Sequence, residues 1–218
     1  MAIRKFEFSN GEFYHIFNRG VDKRDILLSK DDINRFIKSM EEFNTIDPVG
    51  GIHNNSFMKN KKLRSKASKL PKLVNFICYC LNPNHFHFVL EQVSDRGIEK
   101  FMQRLGTGYT KYFNSKNDRS GSLFQGKFKA VYLPDNDQLL NTSVYVNLNN
   151  EVHKLNDKIF KSSWDEYTGY CEDGFCKKDI ILDQFNNRVE YKKFADDLLV
   201  DIKKQREEEK EIEKLLLD

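Results

Sequence analysis

Asn82-Pro83-Asn84-His85-Phe86-His87-Phe88-Val89-Leu90 places a turn signal directly ahead of an apolar, aromatic-rich run. Asparagine and proline favour a sharp reversal, and the run from His85 to Gln92 reads as a β-strand. The stretch before it, Leu73 to Leu81, is also apolar, so the two form a hairpin or a strand with a sharp break. On a strand, side chains two apart share a face, so His85 and His87 project together while Phe86 turns to the opposite side. Two parallel imidazoles are a ready pair of metal ligands. Phe86, packed beneath them, would fix the pair against a rigid core.

Working outward, Glu12 to Phe17 reads as a first, aromatic strand closed by the turn-prone Asn18-Arg19-Gly20. Ser29-Lys30-Asp31-Asp32 opens a helix whose apolar positions Ile33, Phe36, Ile37, Met40 and Phe43 recur at helical spacing. A second helix is expected from Ile98 to Asn114, with Gly106 and Gly108 marking a bend or a close approach. Leu123 to Leu133 alternates as a strand, and Pro134-Asp135-Asn136-Asp137 opens a third helix from Gln138 to about Glu151. The order β-α-β-β-α-β-α predicts an α+β fold: a ferredoxin-like or RRM-like antiparallel sheet with helices packed on one side. Residues 1–155 would form the main domain, with a basic insertion at 52–72. Residues 156–218 would form a C-terminal extension ending in a solvated, charged helix supported by Glu–Lys pairs.

Of 218 residues, 32% are charged and 13% aromatic, and 18 phenylalanines with 9 tyrosines suit a sheet with stacking surfaces. The net charge of +3 conceals a basic segment, Lys59 to Lys72, that contains no acid. That segment is either a solvated insertion or a clamp on a nucleic-acid backbone. No apolar run reaches the roughly 18 to 20 residues needed to span a bilayer, and Met1 to Glu7 lacks the apolar core of a signal peptide. The expectation is a cytoplasmic protein with no membrane partner. Cys78 and Cys80 read as buried strand thiols, and Cys171 and Cys176 lack the Cys-x-x-Cys spacing of a zinc or redox pair.

Tyr145 and Asn149 lie four apart in Ser143-Val144-Tyr145-Val146-Asn147-Leu148-Asn149, hence on one helix face. A phenol beside an amide oxygen there would meet a metal held by His85 and His87. Tyr109, Tyr112 and Tyr132 compete with Tyr145 for a nucleophile's role, Tyr112 most strongly. Gln125, Lys127, Lys129 and Tyr132 on one strand form a basic, aromatic surface, joined by Lys61, Lys62 and Arg64 of the basic segment. Phe124, Phe128 and Tyr132 are candidates for stacking on bases.

Taken together, Tyr14-His15-Ile16-Phe17-Asn18-Arg19-Gly20, Tyr79 to Leu90, Gly121 to Lys129, Tyr145 to Asn149 and Ser162 to Tyr167 resemble the single-tyrosine HUH transposases of the insertion-sequence-200-like family. The resemblance is closest to the REP-associated tyrosine transposases and covers roughly residues 10 to 185. It implies a metal-dependent single-stranded DNA endonuclease and strand transferase that cleaves hairpin-associated DNA through a 5′-phosphotyrosine. It makes His85 and His87 the metal pair, Tyr145 the nucleophile and Asn149 a further ligand of a divalent ion, Mg²⁺ or Mn²⁺. Arg19, Gln125, Lys127, Lys129, Tyr132, Lys61, Lys62 and Arg64 become DNA contacts, and a homodimer with shared sites or a monomer is compatible. The alternative is a hairpin-DNA-binding protein of the same fold without turnover. Asn150 stands where a proline is common, and Lys127 where arginine is usual, which exchanges a bidentate phosphate contact for a point charge.

Overall fold

The alternation that puts His85 and His87 on one face of a strand and Phe86 on the other organises the whole molecule. The computed structural model describes residues 6–46, 71–155, 158–172 and 174–215. Lys61, Lys62 and Arg64, with nearly all of the basic insertion, lie outside the described residues. Strands β1 (Phe13–Arg19), β2 (Val74–Leu81), β3 (His85–Gln92), β4 (Lys129–Leu133) and β5 (Lys161–Ser162) form an antiparallel sheet in the order β4-β1-β3-β2-β5. Helix α1 (Lys30–Glu42) crosses from β1 to β2, and α2 (Gly97–Lys116) crosses from β3 to β4. This is the expected ferredoxin-like α+β arrangement, extended by one short edge strand.

Helices cover both faces rather than one. Tyr14, Ile16, Phe76, Phe86, Phe88 and Leu90 pack with Phe36 and Met40 of α1 and with Phe101, Leu105 and Tyr109 of α2. On the other face, Ile77, Cys78, Cys80 and Val89 pack beneath α3 (Asn136–Asn147) and α7 (Arg188–Leu215), which contribute Val144, Val146, Tyr191 and Ala195. The register between β2 and β3 slips between Phe76 and Cys78. The bulge turns Ile77 and Cys78 toward the same side, enlarging the apolar area that α3 and α7 must cover. The charged tail is therefore not simply a solvated helix: its first turns are part of the core. Residues beyond 156 also supply β5, which pairs Ser162 with Cys80, and the short helices α5 (Trp164–Thr168) and α6 (Asp179–Leu182).

Helix α1 starts where Ser29 accepts a bond from the Asp32 amide, and Asp32 returns the favour by accepting from the Ser29 hydroxyl and the Leu28 amide. The Asp32 carboxylate is fully buried and also receives Lys116 Nζ at 2.7 Å and the Tyr112 hydroxyl at 2.9 Å, both from α2. Burial opposes its charge, but the bonds from Lys116, Tyr112, Leu28 and Ser29 outweigh it and hold the carboxyl below its ordinary range. A depressed folded pKa stabilises above the unfolded value, near 3.9, and that contribution is lost as pH falls through the folded value. Asp32→Asn should cost about 2 kcal/mol at neutral pH in denaturant melts, with the gap to wild type closing below about pH 4. A gap that persists unchanged at pH 3 would refute this assignment.

One local expectation is resolved and two are corrected. Helix α2 runs unbroken through both glycines; Gly108 marks a close approach, since a Cβ there would fall 2.5 Å from the Phe43 ring, whereas Gly106 faces open space. The strand expected over 123–133 is continuous only from Lys129: upstream Phe124 makes a single bridge to Gly20, Gly126 at φ +68° breaks the extended run, and Leu123 and Phe124 turn into the core. The third helix stops at Asn147, Leu148 leaves helical geometry (φ −107°, ψ 21°), and Asn149 begins the short helix α4 (Asn149–Val152). Asn147 is buried and gripped from outside its helix: Ser163 Oγ donates to its Oδ1 at 2.6 Å, and its Nδ2 donates to the Tyr191 hydroxyl at 3.3 Å.

Candidate active site

The register of the sheet lines up the residues of the histidine face. Lys129, Phe17, His87, Cys80 and Ser162 follow one another across β4, β1, β3, β2 and β5, and Arg19 stands opposite His85. Helix α3 lies over this face and lowers Tyr145 onto it. The Tyr145 ring meets His87 edge-on at 5.6 Å between centroids and His15 at 5.9 Å. The rival tyrosines are elsewhere: Tyr109 donates to the Ile26 carbonyl and Tyr112 to Asp32, both beneath the opposite face.

A chain of hydrogen bonds sets each imidazole. Asn84 Nδ2 donates to the Lys23 carbonyl, which turns its Oδ1 toward His85 Nδ1 at 2.6 Å. His85 therefore carries its proton on Nδ1 and presents the Nε2 lone pair inward. The Nε2 atom lies 3.0 Å from Asn149 Oδ1. His87 Nδ1 is 2.8 Å from His15 Nε2, a bond that orients the ring and leaves Nε2 as the nitrogen for a ligand. Burial holds all three imidazoles in the neutral, lone-pair-bearing form. His15 is pushed down to about 4 by desolvation. His87 is held well below its ordinary value by burial first, then by the neighbouring His15, His85, His153 and Arg206. His85 is lowered chiefly by burial; the Asn149 oxygen beside Nε2 opposes the shift by favouring a protonated ring, and Arg206 and Arg19 add to the lowering.

The donor set suits a divalent cation. Two neighbouring ligand atoms on an ion with bonds of about 2.1 Å sit about 3 Å apart, which is the His85 Nε2 to Asn149 Oδ1 separation. Asn149 is fully buried and its Nδ2 has no hydrogen-bond partner, so the fold tolerates an orphaned donor while its oxygen faces the histidine. An orphan of this kind costs about 1–3 kcal/mol. No group of three His, Cys, Asp or Glu side chains able to hold a metal occurs among the described residues. The candidate donor atoms here are imidazole nitrogens and an amide oxygen, without a carboxylate.

The C-terminal helix reaches this site, which the sequence reading missed. Arg206 of α7 lays Nη1 and Nη2 at 3.1 and 3.0 Å from the two ring nitrogens of His153, and that ring lies 4.8 Å from His85. A neutral imidazole has one acceptor nitrogen, so one of these contacts is a hydrogen bond and the other is stacking. His15 and Asn82 were also missed as site members. The alternation of β1 carried a signal for His15, since it falls on the same parity as Phe17.

The expected DNA-contacting side chains divide. Arg19 is exposed beside His85 and donates through Nε to Gln125 Oε1. Gln125, Lys127 and Lys129 are exposed, and Lys129 shares the histidine face. Tyr132 pairs with Tyr14 on the opposite face and donates to Glu12 at 2.7 Å, because it is an odd number of residues from Lys129. Phe124 is buried against Phe86, which takes it out of the base-stacking role expected of it, while Phe128 is half-buried on Phe8. Phe17, half-buried and stacked on His87 at 5.5 Å, is the aromatic that does occupy the site face.

No described helix is long and apolar enough to cross a membrane. No family model matches the chain, and no curated protein matches it. Among solved structures it is similar to a REP-associated tyrosine transposase bound to a REP hairpin, with a TM-score of 0.52 and 11% identity. The match covers 78% of this chain and 86% of that one. The chain thus shares, over most of its length, the α+β fold of that transposase structure.

Proposed function

We propose that this chain is a metal-dependent single-stranded DNA nicking and strand-transfer enzyme that acts on hairpin-associated DNA through a 5′-phosphotyrosine on Tyr145. The observation that carries the reading is the packing of the Tyr145 ring on His87, beside the His85–Asn149 pair, within one chain. The fold shared with a hairpin-bound transposase supports the substrate class. His85, His87 and Asn149 would hold Mg²⁺ or Mn²⁺, the imidazoles favouring Mn²⁺. Such an ion supplies Lewis-acid polarisation of the scissile phosphate and stabilises the charge that develops on it.

The chain's own groups do the rest. Tyr145 Oη loses its proton and forms a bond to phosphorus; the bond from phosphorus to the 3′ oxygen breaks, and that oxygen takes up a proton as a 3′-hydroxyl. The phosphoester is conserved on Tyr145, so a 3′-hydroxyl of another strand rejoins it without ATP. His15 keeps His87 oriented. The positive charges of Arg19 and Arg206 lie near His85 and favour a phosphodiester there. Lys129 and Phe17 extend the same face toward the β4 edge and suit a nucleotide's phosphate and base.

The test is an adduct assay on a panel of DNA hairpins with single-stranded flanks, in Mn²⁺ or Mg²⁺, labelled at one end or the other. A 3′-end label should travel with the protein through denaturing gels while a 5′-end label is released. Tight hairpin binding with no adduct under either ion would replace the enzyme by a hairpin-binding protein. A retained 5′-end label would reverse the polarity of the linkage.

A further inference from the structure

Asn82 directly follows β2, one residue before the proline of the turn, is fully buried, and brings its carboxamide against the two best-placed candidate ligand atoms of the site. Its Nδ2 lies 2.9 Å from His85 Nε2 and 2.7 Å from Asn149 Oδ1, and those two atoms are 3.0 Å from each other. The three atoms form a nearly equilateral triangle. Two of its corners are acceptors: His85 Nε2, because Nδ1 carries the proton toward Asn84, and Asn149 Oδ1. Two lone-pair atoms held this close repel unless something positive lies between them. In this arrangement the partial positive charge comes from the Asn82 amide hydrogens.

A divalent ion needs those same lone pairs. Its entry makes an NH₂ group at the third corner unfavourable, because the amide hydrogens and the cation repel, and an oxygen there favourable. A half-turn of the carboxamide exchanges one for the other with no movement of the backbone, and little resists it. On its far side Asn82 Oδ1 accepts only a weak bond from Cys80 Sγ at 3.6 Å. Cys80 is fully buried, and its thiol is the donor of that bond. After the turn, sulfur would accept from Nδ2 in place of donating to Oδ1, an exchange of one weak bond for another.

We propose that Asn82 is a further protein ligand of the divalent ion, its carboxamide donating to His85 and Asn149 in the metal-free protein and turning to coordinate through Oδ1 when the ion binds. The inference rests on the metal-site reading above and adds to it a fourth side chain, beside His85, His87 and Asn149. It gives a site without a carboxylate a third corner of oxygen or nitrogen around one point. It also makes the metal-free protein self-satisfied, since the two inward lone pairs are never left bare.

The test measures Mn²⁺ binding directly, by the loss of the free-ion paramagnetic resonance signal, on full-length metal-stripped protein without DNA. Asn82→Ala should bind Mn²⁺ at least about tenfold more weakly than wild type, as loss of an oxygen ligand requires. Asn82→Asp, isosteric and anionic, should bind at least as tightly as wild type. If Asn82→Ala binds as well or better, Asn82 merely competes with the ion for the lone pairs, and the proposal fails. His85→Ala separates the two readings: unchanged Mn²⁺ affinity in that variant overturns the metal site itself, whatever Asn82 does. A second measurement needs no variant. In wild type, magnetisation transfer between the Asn82 amide protons and the His85 ring protons should disappear as Mg²⁺ saturates the site. Its persistence at saturation means that the amide has not turned, and overturns the proposal even if Asn82→Ala fails to fold.

Discussion

Tyr145→Phe should form no protein–DNA adduct, a fall of at least about a thousandfold, while hairpin affinity changes by less than a few-fold. The substitution removes one oxygen and keeps the ring that packs on His87 and His15. Tyr145 is only half-buried, so stability should move by less than about 1 kcal/mol. The contrast variant is Tyr112→Phe. Its hydroxyl donates to Asp32 beneath the other face of the sheet, so it should lose about 1 kcal/mol of stability and retain adduct formation. Denaturing gels on labelled DNA and parallel denaturant melts read both. An adduct that survives in Tyr145→Phe removes the nucleophile and with it the proposed reaction.

His85→Ala should slow adduct formation by about a hundredfold or more at fixed Mn²⁺, with partial recovery as the ion concentration is raised. His85 is the better choice of the two histidines for this experiment. His87 is buried among His15, Phe17 and Tyr145, so its removal leaves a cavity and mixes folding with chemistry. His85 is partly exposed and is held chiefly by polar contacts to Asn84, Asn82 and Asn149. Removal of divalent ions by EDTA should have the same effect on wild type, reversed by adding Mn²⁺. Equal rates for His85→Ala and wild type across a Mn²⁺ titration would falsify the role assigned to this imidazole.

The readings that hold are the ones that rest on local geometry. Period-two alternation put His85 and His87 on one face and Phe86 beneath, and the paired register of β1, β2 and β3 agrees. Ser29 capped the first helix where the Ser-x-x-Asp pattern placed it. Tyr132 is an instructive miss, since parity along β4 separates it from Lys129 while the reading put both on one surface of a single strand. The helix expected through Glu151 failed for a different reason. No glycine or proline marks Leu148, and the residues that grip Asn147 are Ser163 and Tyr191, which lie 16 and 44 positions further along the chain.

The succession of the first strands and helices along the chain, the shared face of the two imidazoles and the buried strand thiols could be read off the residues, because alternation, turn chemistry and capping act over a few positions. The docking of the charged C-terminal helix, the approach of Arg206 to His153, the pairing of His15 with His87 and the triangle of Asn82, His85 and Asn149 could not. Each joins side chains tens of residues apart, or rests on which way an amide faces. Such contacts exist only once the two faces of the sheet have been covered and the chain's long-range packing has selected them.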